Sequence, residues 1–329
     1  MSTRVRHQFE KPGVICNPHS GRARTRLNEI RNLGRKIPGS VYGEAKNQEE
    51  FEAVTREFAE AGVDLLVIIA GDGSIHGLLT TMLNSKLFAS LPVLALIPAG
   101  TTNMTALDFK MAGKPDVVLE RLVSALEQSR HFSTLSRPMV RVTHHDTTSR
   151  FGFFFGCGLI ADAVGYFQEH IKKTGLTGEG ASAIVFIRFL FLLMFRSGQL
   201  GEADKLMALQ SEQLQRPRQV YMLLLVTSLQ RLLFGMKPYW GENDAPLHFT
   251  VLDEKPRRLW ISLFNLLCGK LKTTAETDGY YSHNTNSLLL HIQGNYVIDG
   301  EIYAAPVDGS GLSISASAPV KILDMEQFS

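Results

Sequence analysis

Over the first 135 residues, unbroken apolar runs alternate with amphipathic stretches. Gly13–Cys16 is a short apolar run closed by Asn17-Pro18, which reads as a buried strand and a turn. Arg24–Leu33 reads as a helix. Gln48–Ala61 is a second, with Phe51, Val54 and Phe58 on one face. Asp64–Ala70 is continuously aliphatic, as expected of a parallel strand covered on both faces. Gly71–Ser74 interrupts it, and Ile75–Leu83 resumes as a helix. Leu91–Ile97 is another aliphatic strand, ended by Pro98-Ala99-Gly100, and Pro115–Ser129 is a further helix. This order predicts an α/β domain with a mostly parallel sheet and helices on both faces.

The pattern changes near residue 136. Pro138–Val142 and Phe151–Phe155 read as strands with no helix between them, Leu159–Ile171 and Ala183–Phe195 as helices. Strand patterns then dominate at Val220–Val226, His248–Leu252, Ser287–Ile292 and Leu312–Ala316. The expected organisation is therefore an α/β domain at 1–135 and a β-rich, sandwich-like domain at 136–311. A last strand, within about 312–325, is expected to pack back on the first domain.

Composition adds little beyond limits. With 44% hydrophobic residues the chain can build its core without disulfides, and Cys16, Cys157 and Cys268 are too scattered for a zinc or redox motif. They suit a reducing compartment. The start, Met1–Pro12, is polar and basic, so no secretory signal is expected. The longest apolar run, Val185–Phe195, is broken by Arg188 and is too short to span a bilayer. Between Arg4 and Lys36 stand nine basic residues (Arg4, Arg6, Lys11, Arg22, Arg24, Arg26, Arg31, Arg35, Lys36), opposed only by Glu10 and Glu29. Such a region can meet phosphate or anionic lipid, or be a solvated helix face. Its one aromatic residue, Phe9, does not make an aromatic-interleaved basic patch and no known binding motif accompanies the charge, so no nucleic-acid partner is expected.

Three turns carry the candidate chemistry: Asn17-Pro18-His19-Ser20-Gly21, Ala70-Gly71-Asp72-Gly73-Ser74 and Pro98-Ala99-Gly100-Thr101-Thr102-Asn103. Each follows a strand at its carboxyl end, where open α/β sheets bind ligands. Each offers glycine for close backbone approach together with hydroxyl or amide groups, the means by which helix N-termini and bare N–H groups hold phosphate. Neither a Walker A sequence nor a dinucleotide glycine fingerprint is present. Asp72, amid the second turn, can hold Mg²⁺, take a proton from an attacking hydroxyl, or brace the turn through backbone bonds.

In this order the three turns resemble the diacylglycerol kinase catalytic domain family, which includes bacterial lipid kinases and sphingosine kinases and shares its first-domain fold with NAD kinases. Phe155–Ala163 is similar to the family's Gly-x-Gly-x-Asp-Ala segment, and Ile298-Asp299-Gly300-Glu301 to its Asp-Gly-Glu motif. The likeness extends over about residues 12–325. Departures are Ala70 and Ser74 where the family has Gly and Thr, and Met104 where it commonly has an acid. His76 matches a histidine of the sphingosine kinase version, and Gly77 replaces an acid. A threonine that bacterial members carry near the nucleotide would fall around Glu44.

The resemblance implies an ATP-dependent kinase that transfers the γ-phosphoryl group to a lipid hydroxyl with Mg²⁺. Gly71, Gly73 and Ser74 would cradle phosphate, beside Asn17, Pro18, Ser20, Gly21, Ala70, His76, Gly100, Thr101 and Asn103. Glu301 matches the bacterial general base, with Asp299 orienting it or holding metal, and Asp72 is the second candidate base. Asp162 would lie on the lipid side, or serve as a helix N-cap. Asp244, with the carbonyls of Gly241 and Pro246, would hold a structural Mg²⁺. A cytoplasmic enzyme with transient contact at the inner membrane face is expected, and homodimers occur in the family. Ile184–Phe195 and Leu259–Leu271 are apolar on nearly every face, as core helices, acyl-pocket walls or membrane-docking segments would be. The rival readings are an NAD kinase-like or other non-lipid phosphotransferase, and a non-catalytic nucleotide-binding module. The acceptor lipid is left open.

Overall fold

The structure, a computed structural model, describes residues 8–128, 131–144, 148–166, 168–169 and 206–325. They fall into two units.

The first unit comprises 8–137 and 319–325. Its strands are β1 (Pro12–Cys16), β2 (Val41–Glu44), β3 (Leu65–Ala70), β4 (Val93–Pro98), β5 (Thr134–Arg137) and β17 (Val320–Leu323). They form one sheet in the order β2-β1-β3-β4-β17-β5. All neighbours are parallel except the β17–β5 pair. Every residue of β1, β3 and β4 is buried, which is why they read as unbroken aliphatic runs. The connections are helical: α1 (Gly21–Arg24), α2 (Leu27–Lys36), α3 (Gln48–Glu60), α4 (Asp72–Ser85), α5 (Met104–Asp108) and α6 (Pro115–Glu127). Asn47 caps α3 by accepting the Glu50 N–H at 2.9 Å, and Pro115 opens α6 at the first helical position.

The second unit is an antiparallel sheet that curls over its own core. Its strands are β6 (Val140–Thr143), β7 (Arg150–Gly152), β8 (Phe154–Gly158), β9 (Leu206–Ser211), β10 (Gln215–Thr227), β11 (Leu247–Asp253), β12 (Tyr280–Thr285), β13 (Ser287–Ile292), β14 (Asn295–Ile298), β15 (Glu301–Ala304) and β16 (Leu312–Ala316). The curl follows from β10. Its first half pairs with β9, its second with β8 and β11, and the register slips around Pro217 and again after Tyr221. One face encloses Phe155, Tyr221, Leu224, Phe249, Leu290, Tyr296 and Ile314. Among the described residues this unit has the α-helices α7 (Leu159–Tyr166) and α8 (Leu259–Leu267).

Three expectations change. The helix expected at Ile75–Leu83 starts at Asp72, so most of the second turn is the first turn of α4. The helix expected at Arg24–Leu33 is two, α1 and α2. The last strand is likewise two: β16 pairs with β6 and β13 in the second unit, and only β17 joins the first sheet. Ala183–Phe195 and the basic residues Arg4 and Arg6 lie outside the described residues. Among those described, no helix is long and apolar enough to cross a membrane.

Candidate active site

Because β1, β3 and β4 are parallel neighbours, their three following turns emerge side by side. Direct bonds then join them. Asn17 is buried, its Nδ2 donating to Ser74 Oγ at 2.8 Å while its Oδ1 accepts the His19 N–H at 2.9 Å. The Arg22 N–H reaches Ala99 O at 2.8 Å, tying α1 to the third turn.

The second and third turns touch through their glycines. A Cβ on Gly100 would stand 2.6 Å from the Cα of Gly71, and one on Gly71 would stand 3.0 Å from the Cα of Gly100. Backbone here meets backbone, a closeness only glycine permits. These two glycines bring the turns together, whatever else they approach.

Asp72 completes the junction. Its Oδ2 accepts the Met104 N–H at 3.1 Å and its Oδ1 the Thr105 N–H at 3.2 Å. The carboxylate thus caps α5 from a neighbouring element. The residue before α5, Asn103, cannot do so: it sits at φ +51° and spends its side chain on Gly100, accepting that N–H at 2.7 Å and donating to that carbonyl at 2.9 Å. Burial pushes the Asp72 carboxyl up, and the N–H groups of Thr105 and Met104 oppose the shift. Both oxygens are committed to backbone, which suits a brace better than a metal ligand or base.

What stays open is the N-terminus of α4. Gly71 is its N-cap and provides no side chain to cap it. The Ile75 N–H bonds Gly71 O at 3.0 Å, so the helix ladder begins there. The N–H groups of Gly73 and Ser74 precede that ladder and have no partner within the helix. They crown a 14-residue helix at the carboxyl end of a central strand, with the positive end of its dipole. Ala70 is buried at the end of β3, and His76 is buried on α4. Pro18, Ser20, Gly21 and Thr101 lie on the first and third turns beside it. Glu44 ends β2 and is locked to Arg31 (2.6 and 2.9 Å) and to the Tyr42 hydroxyl (3.0 Å). The Arg31 bond holds its carboxyl below the usual range. Of the basic N-terminal residues, Arg26 pairs with Asp116 at 2.6 Å and Arg35 lies over Tyr42, so this stretch partly braces the fold.

In the second unit, Asp299 and Gly300 are the two central residues of the β14–β15 hairpin, at φ +46° and +90°. Both signs match the two-residue turn that Asp-Gly favours. The turn is anchored, however, and not a loose surface turn. Asp299 is 4% exposed, and its carboxylate accepts the Phe153 N–H (3.1 and 3.0 Å) and the Phe154 N–H (2.8 Å) where β7 breaks into β8. Gly152 must be glycine beside it, since a Cβ there would stand 2.7 Å from Asp299 Oδ2. Asp299→Ala would orphan two buried N–H groups bonded to a charge, so it is expected to cost about 3 kcal/mol, read as the shift in urea midpoint. Glu301 follows at the exposed start of β15, sharing a face with Tyr303, whose ring lies 4.4 Å from the Arg150 guanidinium. Asp162 lies in the first turn of α7 and is not its N-cap. That helix leaves β8 through Gly158 at φ +66°.

The structural cation expected at Asp244 does not fit this loop. Asp244 is exposed, and Asn284 Nδ2 already donates to the carbonyls of Gly241 (3.1 Å) and Asn243 (2.6 Å). Asn243 returns its own amide to the backbone of Asn284. An amide thus takes up the Gly241 carbonyl, one of the two expected to hold the cation beside Asp244; the other was that of Pro246. Among the described residues no group of three or more His, Cys, Asp or Glu converges as a metal site. The pairing of Asn243 with Asn284 is long-range, and the sequence carries no local signal for it.

Residues 11–135 match the diacylglycerol kinase catalytic domain family. No curated protein matches the chain. Among solved structures it is similar to three proteins of Bacillus anthracis strain Sterne, described as diacylglycerol kinases or candidates for that role. One superposes with a TM-score of 0.66 at 16% identity, covering 98% of this chain and 100% of that one. A second gives 0.62 at 14% identity with the same coverage, and a third 0.62 at 17%, covering 96% and 98%. At such identity these likenesses establish the fold of the whole chain, and the family match is confined to the first unit. What the chain is similar to, over 11–135, is therefore the diacylglycerol kinase catalytic domain family.

Proposed function

We propose that this chain transfers the γ-phosphoryl group of ATP to a lipid hydroxyl. The observation that carries the reading is the uncapped N-terminus of α4, set among three bonded turns at the carboxyl ends of adjacent parallel strands. In this reading the Gly73 and Ser74 N–H groups hold phosphate oxygens. Ser74 Oγ accepts from Asn17, which leaves its own proton directed away to donate to phosphate. Gly100, Thr101, Ser20 and the backbone of the first turn flank the nucleotide. Mg²⁺, arriving with the nucleotide, supplies charge neutralisation on the phosphates.

Glu301 is assigned as general base. The acceptor oxygen bonds to the γ-phosphorus, its proton passes to the Glu301 carboxylate, and ADP departs with the electrons of the broken P–O bond. The reading is supported by the family's Asp-Gly-Glu motif and by the fixed hairpin that Asp299 anchors, which makes Asp299 a positioning residue. Glu301 is kept ahead of Asp72, the second candidate base, because both Asp72 oxygens are committed to α5.

The test is incubation of the full chain with Mg²⁺ and labelled ATP against total lipid extract, with NAD as a parallel acceptor and mass spectrometry of every product. A lipid that gains phosphate is the expected result. Phosphorylated NAD would favour the non-lipid kinase, and nucleotide binding without turnover a regulatory module. Glu301→Gln is expected to lower kcat by about 100-fold or more, with nucleotide affinity and melting temperature unchanged. Retention of full activity on the identified lipid would overturn the assignment.

A further inference from the structure

α8 is a two-faced helix in the second unit. Leu259, Leu263 and Leu266 turn inward against Ile160, Met222, Leu225 and Tyr280. Its other face is apolar as well: Trp260 is 58% exposed, Ile261 77% and Phe264 69%. These three fall on one arc at the i, i+1, i+4 spacing. Nearby, the 3₁₀ turn Leu233–Gly235 presents Phe234, 52% exposed. The turn is fixed beside the C-terminal end of α8, because the Lys237 N–H bonds Leu267 O at 2.8 Å. Phe234 is held at φ +56°, a costly conformation for an aromatic residue. Large exposed aromatic residues concentrated at one place mark a surface that meets another apolar phase.

Charge identifies the phase. From Lys255 to Lys272 the basic residues are Lys255, Arg257, Arg258, Lys270 and Lys272, with no Asp or Glu among them. Arg231 and Lys237 flank the Phe234 turn, again with no acid between them. All seven are exposed. Lys255 lies 3.5 Å from Glu254 at the edge of the patch. Tryptophan and phenylalanine ringed by lysine and arginine match the boundary of an anionic bilayer, where aromatic rings sit at headgroup level and cations meet lipid phosphate. A second copy of this chain is disfavoured as the occupant, since a self-pairing patch would set seven cations against seven.

We propose that α8 and the Phe234 turn form a docking surface for anionic membrane. The rings and Ile261 enter the headgroup–acyl boundary and the basic rim binds the lipid phosphates. This stands on exposure and charge alone and does not rest on the phosphotransfer reading.

Sedimentation of the full chain with sucrose-loaded vesicles, without nucleotide, tests it. Binding is expected to vesicles containing about one third phosphatidylglycerol and to weaken at least tenfold on pure phosphatidylcholine, with salt reducing it further. Trp260 fluorescence should shift to the blue on binding, and Trp260→Ser should abolish the shift. Trp260→Ser with Phe264→Ser, and separately Arg258→Glu with Lys270→Glu, are each expected to cut anionic vesicle binding tenfold or more at unchanged melting temperature. Equal binding to neutral and anionic vesicles, or wild-type binding by both double variants, overturns the proposal. So does a concentration-dependent dimer that the Trp260 and Phe264 changes dissolve, which would assign the patch to a second copy. Loss of lipid phosphorylation in the Glu301→Gln variant leaves vesicle binding intact, so the two readings fail separately.

Discussion

Gly100→Ala is expected to be among the most damaging single substitutions in the first unit, costing about 3 kcal/mol and abolishing nucleotide binding. The added Cβ would lie 2.6 Å from the Cα of Gly71 and 3.2 Å from Asn103 Oδ1. Neither neighbour can step aside. Gly71 is backbone at the end of a buried strand, and Asn103 is bonded to Gly100 on both its amide atoms. The clash must therefore be relieved by parting the second and third turns. Parting them stretches the Asp72 bonds to α5 and displaces the N-terminus of α4, so one methyl group disturbs folding and binding together. Gly71→Ala should follow the same course with a smaller effect, as its Cβ would lie 3.0 Å from the Cα of Gly100. Gly77→Ala is the contrast. Its Cβ would meet only Gln48 Oε1, the end of a flexible side chain, and the helix interior prefers alanine by about 1 kcal/mol. Urea denaturation with a nucleotide titration on the three variants checks the order. Wild-type nucleotide affinity in Gly100→Ala would show that the turns bind independently.

Asp72→Ala is the second large effect, about 3 kcal/mol in stability. It strips the cap from α5 and leaves the Met104 and Thr105 N–H groups without an acceptor. Asp72→Asn separates bracing from chemistry. An amide presents one acceptor and one donor where two N–H groups point inward, so it loses stability as well. If Asp72 were the base, Asn would fold at wild-type stability and fail only in turnover. The pH dependence offers a second discriminator. Burial raises this carboxyl above its ordinary 3.8, so between the two values the native state holds the proton more tightly than the unfolded chain does. This group therefore lowers stability as pH rises from 3.8 through its native value, and Asp72→Asn should remove that part of the pH profile.

Much of the first unit was legible in the chain. β3 and β4 announce themselves because parallel strands buried on both faces must be aliphatic throughout. The turns announce themselves because glycine, asparagine and serine interrupt those runs at the strand ends. Short elements such as β2, β5 and α5 were silent, since four or five residues carry no period to read. The second unit was less legible. β10 bends around Pro217 and changes partners along its length, which leaves no uniform alternation. The anchoring of Asp299 was not legible, because local sequence shows the Asp-Gly signal and not the Phe153 and Phe154 N–H groups about 145 residues away.

Legible from the chain alone are the strand–turn–helix order, the glycine, hydroxyl and amide groups gathered in three turns, and the family that this order resembles. These are local matters of period, residue type and chain order. How those residues are used is set by the folded arrangement. It set Gly71 and Gly100 against each other, made Asp72 the cap of α5, placed Asn284 on one of the carbonyls expected to hold a cation, and left Trp260, Ile261 and Phe264 outside while their neighbours on α8 went in. Each outcome depends on which distant backbone comes within hydrogen-bond or van der Waals reach, and the order of residues alone does not specify that reach.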